Sequence, residues 1–196
     1  MITKIISTPS PAQVNKYIKK WKRLDNYVLQ ESSLRKLFIK TYPQNADIDD
    51  ILIKVCSLND FYSTNIYSPV TVARHIQRLK IDESLSRNDL VVVDKISKVK
   101  MRGGRHINFY SFASKYCSHH KPEVYPIYDS YVEKVLIHFR KTDKFYNFRN
   151  TDLKKYSKFN EILSAFRDFY GLDSYTIKDI DKYLWQLGKE YFPRKY

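Results

Sequence analysis

Apolar side chains repeat at spacings of three and four residues along almost all of this 196-residue chain. This spacing puts them on one face of an α-helix, so the pattern predicts amphipathic helices. Only 4 Gly and 7 Pro interrupt it, which favours helices joined by short loops. The predicted fold class is therefore all-α, a compact multi-helix fold. Its predicted helices are residues 10–29, 32–41, 47–58, 68–80, 86–100, 106–120, 129–140, 152–170 and 176–191.

No internal repeat, low-complexity tract or long linker divides the chain, and its length suits one domain with a proper core. We predict a single all-α domain over residues 1–196. The alternative is two lobes flanking a cleft, one of about residues 1–57 with 141–196 and the other of about residues 58–140.

Three of the predicted helices begin at recognisable caps. Ser10 and Ser68 each place a hydroxyl before a proline at the first helical position, and Thr176 precedes a helix in the same manner. Side-chain oxygens at these positions accept hydrogen bonds from otherwise unpaired amides of the first turn.

The chain is strongly basic, with 35 Lys and Arg against 21 Asp and Glu, a formal net charge of +14 and a pI near 9.6. Such a field attracts polyanions, nucleic acids among them. The alternative is a basic protein whose charged faces are simply solvated. No apolar run approaches the roughly 20 residues of a membrane span, and the N-terminus lacks the apolar core of a signal peptide. We therefore expect a cytoplasmic protein with no membrane partner.

Metal or cofactor chemistry is not expected. Cys56 and Cys117 are too few for an iron–sulfur cluster or a four-cysteine zinc site, and both are predicted to be reduced core residues. His119 and His120 are adjacent, so their side chains diverge on a helix, and no further ligand stands at a recognised metal spacing.

The pair Gly103-Gly104 lies between Arg102 and Arg105, within a basic segment that also includes Lys98, Lys100 and His106. It is predicted to join two helices. Glycines there permit positive φ and let backbone amides approach a phosphate closely. An ordinary helix C-cap followed by a basic turn explains the same residues equally well.

The segment 126–136 places one carboxylate, Asp129, at the start of an apolar helix pattern that includes Val132, Val135 and Leu136. Aspartate is a favoured N-cap in any protein, which is the structural interpretation. A carboxylate held at a helix start can equally serve as a catalytic group.

Ser111-Phe112-Ala113-Ser114-Lys115 follows the glycines, and Asp129 stands 18 positions after Ser111 within Pro-Ile-x-Asp-x-x-Val-x-Lys-Val-Leu. This arrangement resembles the helix-hairpin-helix DNA glycosylase superfamily, most closely its adenine-DNA glycosylase branch. That branch has serine where other branches have a Schiff-base lysine, and Ser111 falls at that position. The segment 58–79 is similar to the family's helix-loop-helix that carries an intercalating polar wedge, with Asn65 near the wedge position.

The resemblance implies a DNA glycosylase that flips a damaged or modified base from the duplex and hydrolyses its N-glycosidic bond. Asp129 would stabilise the oxocarbenium-like sugar and orient the attacking water. Lys115, one helical turn after Ser111, is the rival nucleophile as an amine. A lysine in so basic a chain is usually solvated, so we predict a monofunctional enzyme.

Neighbouring positions in the sequence give further predictions. Arg102, Gly103, Gly104 and Arg105 are predicted to bind the DNA backbone. Tyr62 is expected to contact DNA beside Asn65. Tyr128 and Trp185 are candidates for the base pocket, although a tryptophan such as Trp185 more often packs a helix.

The expected partner is double-stranded DNA with an altered base, bound by a monomer associated with the nucleoid. Two other classes of function remain open: a non-catalytic DNA-binding module, and a defence or interaction protein whose basic face meets an acidic protein or RNA. The identity of the base does not follow from the sequence.

Overall fold

The computed structural model describes residues 6–193, and it confirms the all-α class. Two short strands accompany the helices in this part of the chain. The elements in chain order are α1 (Pro11–Trp21), α2 (Asp25–Arg35) continued by a π-helical turn (Lys36–Thr41), α3 (Ile48–Tyr62), α4 (Pro69–Leu79), α5 (Asp82–Ser86), α6 (Val91–Ser97), β1 (Lys98–Lys100), β2 (His106–Asn108), α7 (Tyr110–His120), α8 (Ser130–Thr142), a 3-10 turn (Asn150–Lys154), α9 (Tyr156–Phe169) and α10 (Ile177–Tyr191).

The predicted helix boundaries were wrong in several places. The helix expected over residues 10–29 ends at Trp21, and a new helix begins at Asp25 after a short turn. The helices expected over residues 86–100 and 106–120 are shorter, since residues 98–100 and 106–108 pair as antiparallel strands. The glycine pair therefore lies in a β-hairpin and does not join two helices directly.

Local capping explains several helix starts. The Ser10 hydroxyl accepts from the Gln13 amide at 3.3 Å, and the Thr176 hydroxyl accepts from the Asp179 amide at 3.1 Å, so both predicted caps are confirmed. The Asp179 carboxylate also accepts from the Thr176 amide, which completes a capping box. Ser68 does not cap α4: its hydroxyl is instead 2.8 Å from the hydroxyl of Thr71. Pro69 still supplies a preformed φ at the first helical position of α4.

The chain divides into two compact units. The central unit is Asn26–Ile127, and the terminal unit consists of the described residues up to Asp25 and from Tyr128 onward. The prediction of one domain or two lobes with other limits stays a prediction.

Each unit has its own apolar core. In the central unit α3 packs on α4 and α7, and α6 packs on α7. In the terminal unit α10 packs on α1 and α8, around buried aromatic side chains such as Tyr17, Phe139, Phe166 and Tyr183. Within each unit, these packed helices support the loops and helix ends that carry candidate functional residues. None of the helices in residues 6–193 is both long and apolar enough to cross a membrane.

Candidate nucleic-acid interface and active-site residues

Residues 98–108 form a hairpin that we call the basic hairpin. Val99 pairs with Ile107, and the Met101 amide donates to the Arg105 carbonyl at 2.8 Å. The Gly104 amide donates to the Met101 carbonyl at 3.0 Å, which closes a tight turn.

Both glycines of this turn have positive φ, +83° at Gly103 and +85° at Gly104. A Cβ added at either would meet nothing within 4 Å. The turn thus needs glycine for its backbone conformation, and the space over it is open.

The surface of the basic hairpin is cationic. The side chains of Lys98, Lys100, Arg102, Arg105 and His106 are exposed, and residues 98–108 contain no acidic side chain. The hairpin is held to the central unit through the buried Val99. This arrangement brings together the four residues predicted to bind the DNA backbone and presents them on a fixed support.

The loop of residues 63–68 between α3 and α4 is organised by one side chain, Asn59. Its amide donates to the Ile66 carbonyl at 3.1 Å, and its carbonyl accepts from the Ile66 amide at 2.8 Å and from the Thr64 hydroxyl at 2.9 Å. Ile66 is buried, while Asn65 is exposed with φ of +57°. The predicted wedge residue therefore stands on the surface of a firmly held loop.

The same loop exposes a residue that the sequence analysis missed. Tyr67 has 93 % of its surface exposed, although large aromatic side chains are usually at least half buried. The sequence gives no local signal for this exposure, because the burial of the preceding Ile66 is seen only in the structure. An aromatic ring on a fixed loop is suited to stacking on a base.

Ser111, Lys115 and His119 recur every four residues on one side of α7, and we call them the α7 stripe. The Nζ of Lys115 lies 2.6 Å from the Oγ of Ser111 and 5.2 Å from the centre of the Tyr62 ring. The Tyr62 hydroxyl is 3.0 Å from the Nε2 of His119. Three predicted residues, Ser111, Lys115 and Tyr62, are thus brought together, and His119 joins them.

The expectation that Lys115 is solvated was wrong. The residue is only 4 % exposed, because its stem lies on α7 where that helix packs on α3. A lysine removed from water is the kind that proteins use as an amine nucleophile. Lys115 therefore stays a candidate for that role alongside its contact with Ser111.

Asp129 is the N-cap of α8, as predicted. Its backbone is extended (φ −145°, ψ 154°), and its Oδ1 accepts from the Tyr131 amide at 2.7 Å. The side chain is half-buried. This hydrogen bond fixes the direction of the carboxylate at the start of the helix.

A close approach by α10 holds the first turn of α8 in place. A Cβ added to Gly188 would lie 2.6 Å from the Tyr131 Cβ and 2.7 Å from its carbonyl oxygen. Only glycine lets α10 come this near. The amide that orients Asp129 is therefore positioned by packing between two helices.

Tyr128, predicted for a base pocket, lies in the core of the terminal unit. It is 5 % exposed, and its ring packs edge-on against Phe159 with centroids 5.5 Å apart. Its hydroxyl donates to Glu133 and accepts from Lys154. These contacts give Tyr128 a clear structural role.

Trp185, the second base-pocket candidate, packs between helices. Its ring is 5.8 Å from that of Trp21 in an edge-on arrangement, and the Nζ of Lys189 lies 4.8 Å from its centre. The base-pocket role of both residues stays a prediction.

A buried polar network supports the C-terminal half of α7. The Asn45 Oδ1 accepts from the Nζ of Lys54 at 2.7 Å and the Tyr116 hydroxyl at 2.6 Å, and it lies 3.2 Å from the Nε2 of His120. The Asn45 amide groups in turn donate to Asp82. Since an acceptor faces Nε2, that nitrogen of His120 is assigned the ring proton.

Burial controls the protonation of this network. Loss of hydration lowers the pKa of His120 to about 3, and the charge of Lys54 adds to the shift. Burial also lowers the pKa of Lys54 to about 8, opposed by Asp82 and Asp50. The network therefore holds α7 through one cation and one neutral imidazole.

No group of three or more His, Cys, Asp or Glu side chains in the described part of the chain could hold a metal ion. Cys117 is buried, and burial raises the pKa of its thiol. Cys56 is exposed, so its predicted place in the core was wrong.

Comparison with known proteins places the chain in a family. The chain belongs to the HI_0787_N family, whose model, described as an N-terminal domain, matches residues 13–124. It is similar to an uncharacterized protein of Haemophilus influenzae, with 47 % identity over 148 residues that make up 75 % of this chain and 70 % of that protein. No solved structure matches. The family match includes the basic hairpin and the α7 stripe, whereas Asp129 lies beyond it.

Proposed function

We propose that this chain is a monofunctional DNA glycosylase that excises a damaged or modified base from double-stranded DNA. The observation that carries the proposal is Asp129, a half-buried carboxylate at the start of α8 whose direction is fixed by the Tyr131 amide. The resemblance to the helix-hairpin-helix glycosylases gives Asp129 the catalytic role, and its capping geometry supports this.

The proposed reaction is hydrolysis of the bond between the sugar C1′ and the base nitrogen. The base leaves with the electron pair of that bond, and positive charge develops on the sugar. The Asp129 carboxylate stabilises this charge and accepts a proton from the attacking water, whose oxygen bonds to C1′. That proton is then passed to the departing base.

DNA binding is assigned to the central unit. The basic hairpin offers exposed cations and an open turn with backbone amides for the phosphates. The loop of residues 63–68 offers the exposed Asn65 and Tyr67 to occupy the gap that a flipped base leaves. Because Asn59 already holds this loop, little conformational entropy is lost when it enters the duplex.

The Ser111–Lys115 pair bears on the choice between hydrolysis and lyase chemistry. A lyase would use the Lys115 amine to attack C1′ and form a Schiff base after the base departs. In this structure the Lys115 Nζ is directed to the Ser111 hydroxyl at 2.6 Å. We therefore assign Lys115 to holding Ser111 and keep the monofunctional reaction.

The decisive experiment is excision from a panel of duplex oligonucleotides carrying oxidised, alkylated, mismatched or modified bases, with abasic sites cleaved by hot alkali. Wild type is compared with Asp129→Asn, which keeps a helix cap and removes the carboxylate charge. The matched control is Asp47→Asn at the N-cap of α3. Product from wild type and Asp47→Asn, with at least 100-fold less from Asp129→Asn, is the expected result.

The second candidate is a non-catalytic DNA-binding module, which the exposed basic hairpin favours because it requires no carboxylate. In that case wild type and Asp129→Asn bind duplex equally and neither releases a base from any substrate. An interaction or defence protein would bind without preference for duplex DNA with an altered base. The glycosylase itself is expected to bind duplex DNA as a monomer.

A further inference from the structure

The terminal unit carries a second cationic surface, remote in sequence from the basic hairpin. Lys16, Lys19, Lys20, Lys22 and Arg23 are exposed along α1 and the turn that follows it, and we call these five residues the α1 face. Residues 11–24 contain no acidic side chain. The opposite side of α1 is buried through Val14 and Tyr17, so the α1 face has a fixed orientation.

Aromatic side chains extend this surface onto α10. Trp21 and Trp185 are both half-buried and pack edge-on at 5.8 Å. The Nζ of Lys182 lies 5.3 Å from the centre of the Trp21 ring, and that of Lys189 lies 4.8 Å from the Trp185 ring. Such contacts restrain long lysine side chains and reduce the entropy lost on binding an anion.

The acidic partner at this surface is Glu190. It accepts from Lys20 at 2.9 Å and from the Tyr17 hydroxyl at 3.3 Å. Lys16, Lys19 and Arg23 form no ion pair within residues 6–193. They lie together with Ala12, Asn15 and Lys20 on one open face of α1 and the turn that follows it.

We propose that the α1 face is a second polyanion site that binds the phosphate backbone of nucleic acid. Lys16 and Lys20 are four residues apart on successive turns of α1, about 6 Å along the helix or roughly two base steps of duplex, and Arg23 follows in the turn after the helix. A lipid surface fits less well, because the apolar side of α1 is buried and has nothing to insert. This proposal does not depend on base excision.

The test measures binding of the full chain to an undamaged, fluorescein-labelled duplex by anisotropy between 50 and 300 mM salt. The variant combines Lys16→Gln, Lys19→Gln and Arg23→Gln. The matched control combines Lys141→Gln, Lys144→Gln and Lys155→Gln, which are exposed in the same unit and remove the same charge. Thermal melting checks that both variants fold.

The expected result is a loss of at least tenfold in affinity for the α1 variant, with a salt slope shallower by about 2.7 if all three side chains contact phosphates. The control variant should change by less than threefold. Equal losses in both variants would overturn the proposal, since net charge alone would explain them. Unchanged duplex binding by the α1 variant would also overturn it. Binding to vesicles of phosphatidylglycerol and phosphatidylcholine is measured as well, and an α1 variant that loses vesicle binding but keeps duplex binding would likewise overturn the proposal.

Discussion

Replacing Gly188 by alanine should disturb the start of α8 and with it Asp129. The new Cβ would stand 2.6 Å from the Tyr131 Cβ, 2.7 Å from its carbonyl oxygen and 2.9 Å from its carbonyl carbon. Two of these are backbone atoms, so no rotation of a side chain relieves the overlap. Alanine in a helix gains about 1 kcal/mol over glycine, while overpacking of this kind costs about 3 kcal/mol. We expect a net loss of about 2 kcal/mol in the free energy of unfolding.

Urea denaturation measures this loss, and Ser157→Ala at an exposed position of α9 is the control, expected to change stability by less than about 0.5 kcal/mol. The amide resonance of Tyr131 reports the local change directly, because that amide donates to the Asp129 carboxylate. If Gly188→Ala is as stable as wild type and the Tyr131 resonance does not move, the close approach of α10 to α8 is refuted. In an active glycosylase, kcat should fall by more than stability explains, since a displacement of about 1 Å can cost about 100-fold.

Other predictions concern the central unit. Burial lowers the pKa of His120 to about 3, so between pH 6.5 and pH 3 the unfolded chain binds a proton at this residue and the folded chain does not. The free energy of unfolding, measured with urea, should therefore be about 2 kcal/mol smaller at pH 5 than at pH 7 because of this residue. His120→Gln should remove that difference. Borohydride should trap no covalent complex with abasic DNA; a complex that disappears in Lys115→Met would instead establish a lyase. Tyr67→Ala should leave the melting temperature unchanged but weaken duplex binding by about 1–3 kcal/mol, and equal binding would exclude stacking. Asn59→Ala should lower the free energy of unfolding by about 1–3 kcal/mol because the Ile66 amide loses its partner, and a smaller change would show that the loop is held by other contacts.

Much of the fold follows from local sequence signals. The three-and-four spacing of apolar residues predicted the helices, and the Ser10, Asp129 and Thr176 caps were confirmed because capping depends on residues only two or three positions away. The hairpin at residues 98–108 was missed since each strand has three residues. So short a run of alternating exposed and buried positions is easily read as part of a helix.

The candidate site was less predictable because it depends on contacts distant in sequence. The burial of Lys115 follows from packing of α7 on α3, which its own neighbours in the sequence do not reveal. Asn45 gathers partners from positions 54, 82, 116 and 120, and no local pattern marks such a hub. The four-residue spacing of Ser111, Lys115 and His119 is visible in the sequence. Only the structure shows that Lys115 and His119 both contact Tyr62.

The division of the chain has a consequence for its synthesis on the ribosome. The central unit is one continuous stretch and can fold as soon as it emerges, whereas the terminal unit takes α1 from one end of the chain and α8 to α10 from the other. About 150 residues separate α1 from α10, which corresponds to roughly 8–30 s of translation. During that interval the apolar side of α1, with Val14 and Tyr17, has no partner to cover it. The nascent chain is therefore open to chaperone binding at α1 until α10 is made.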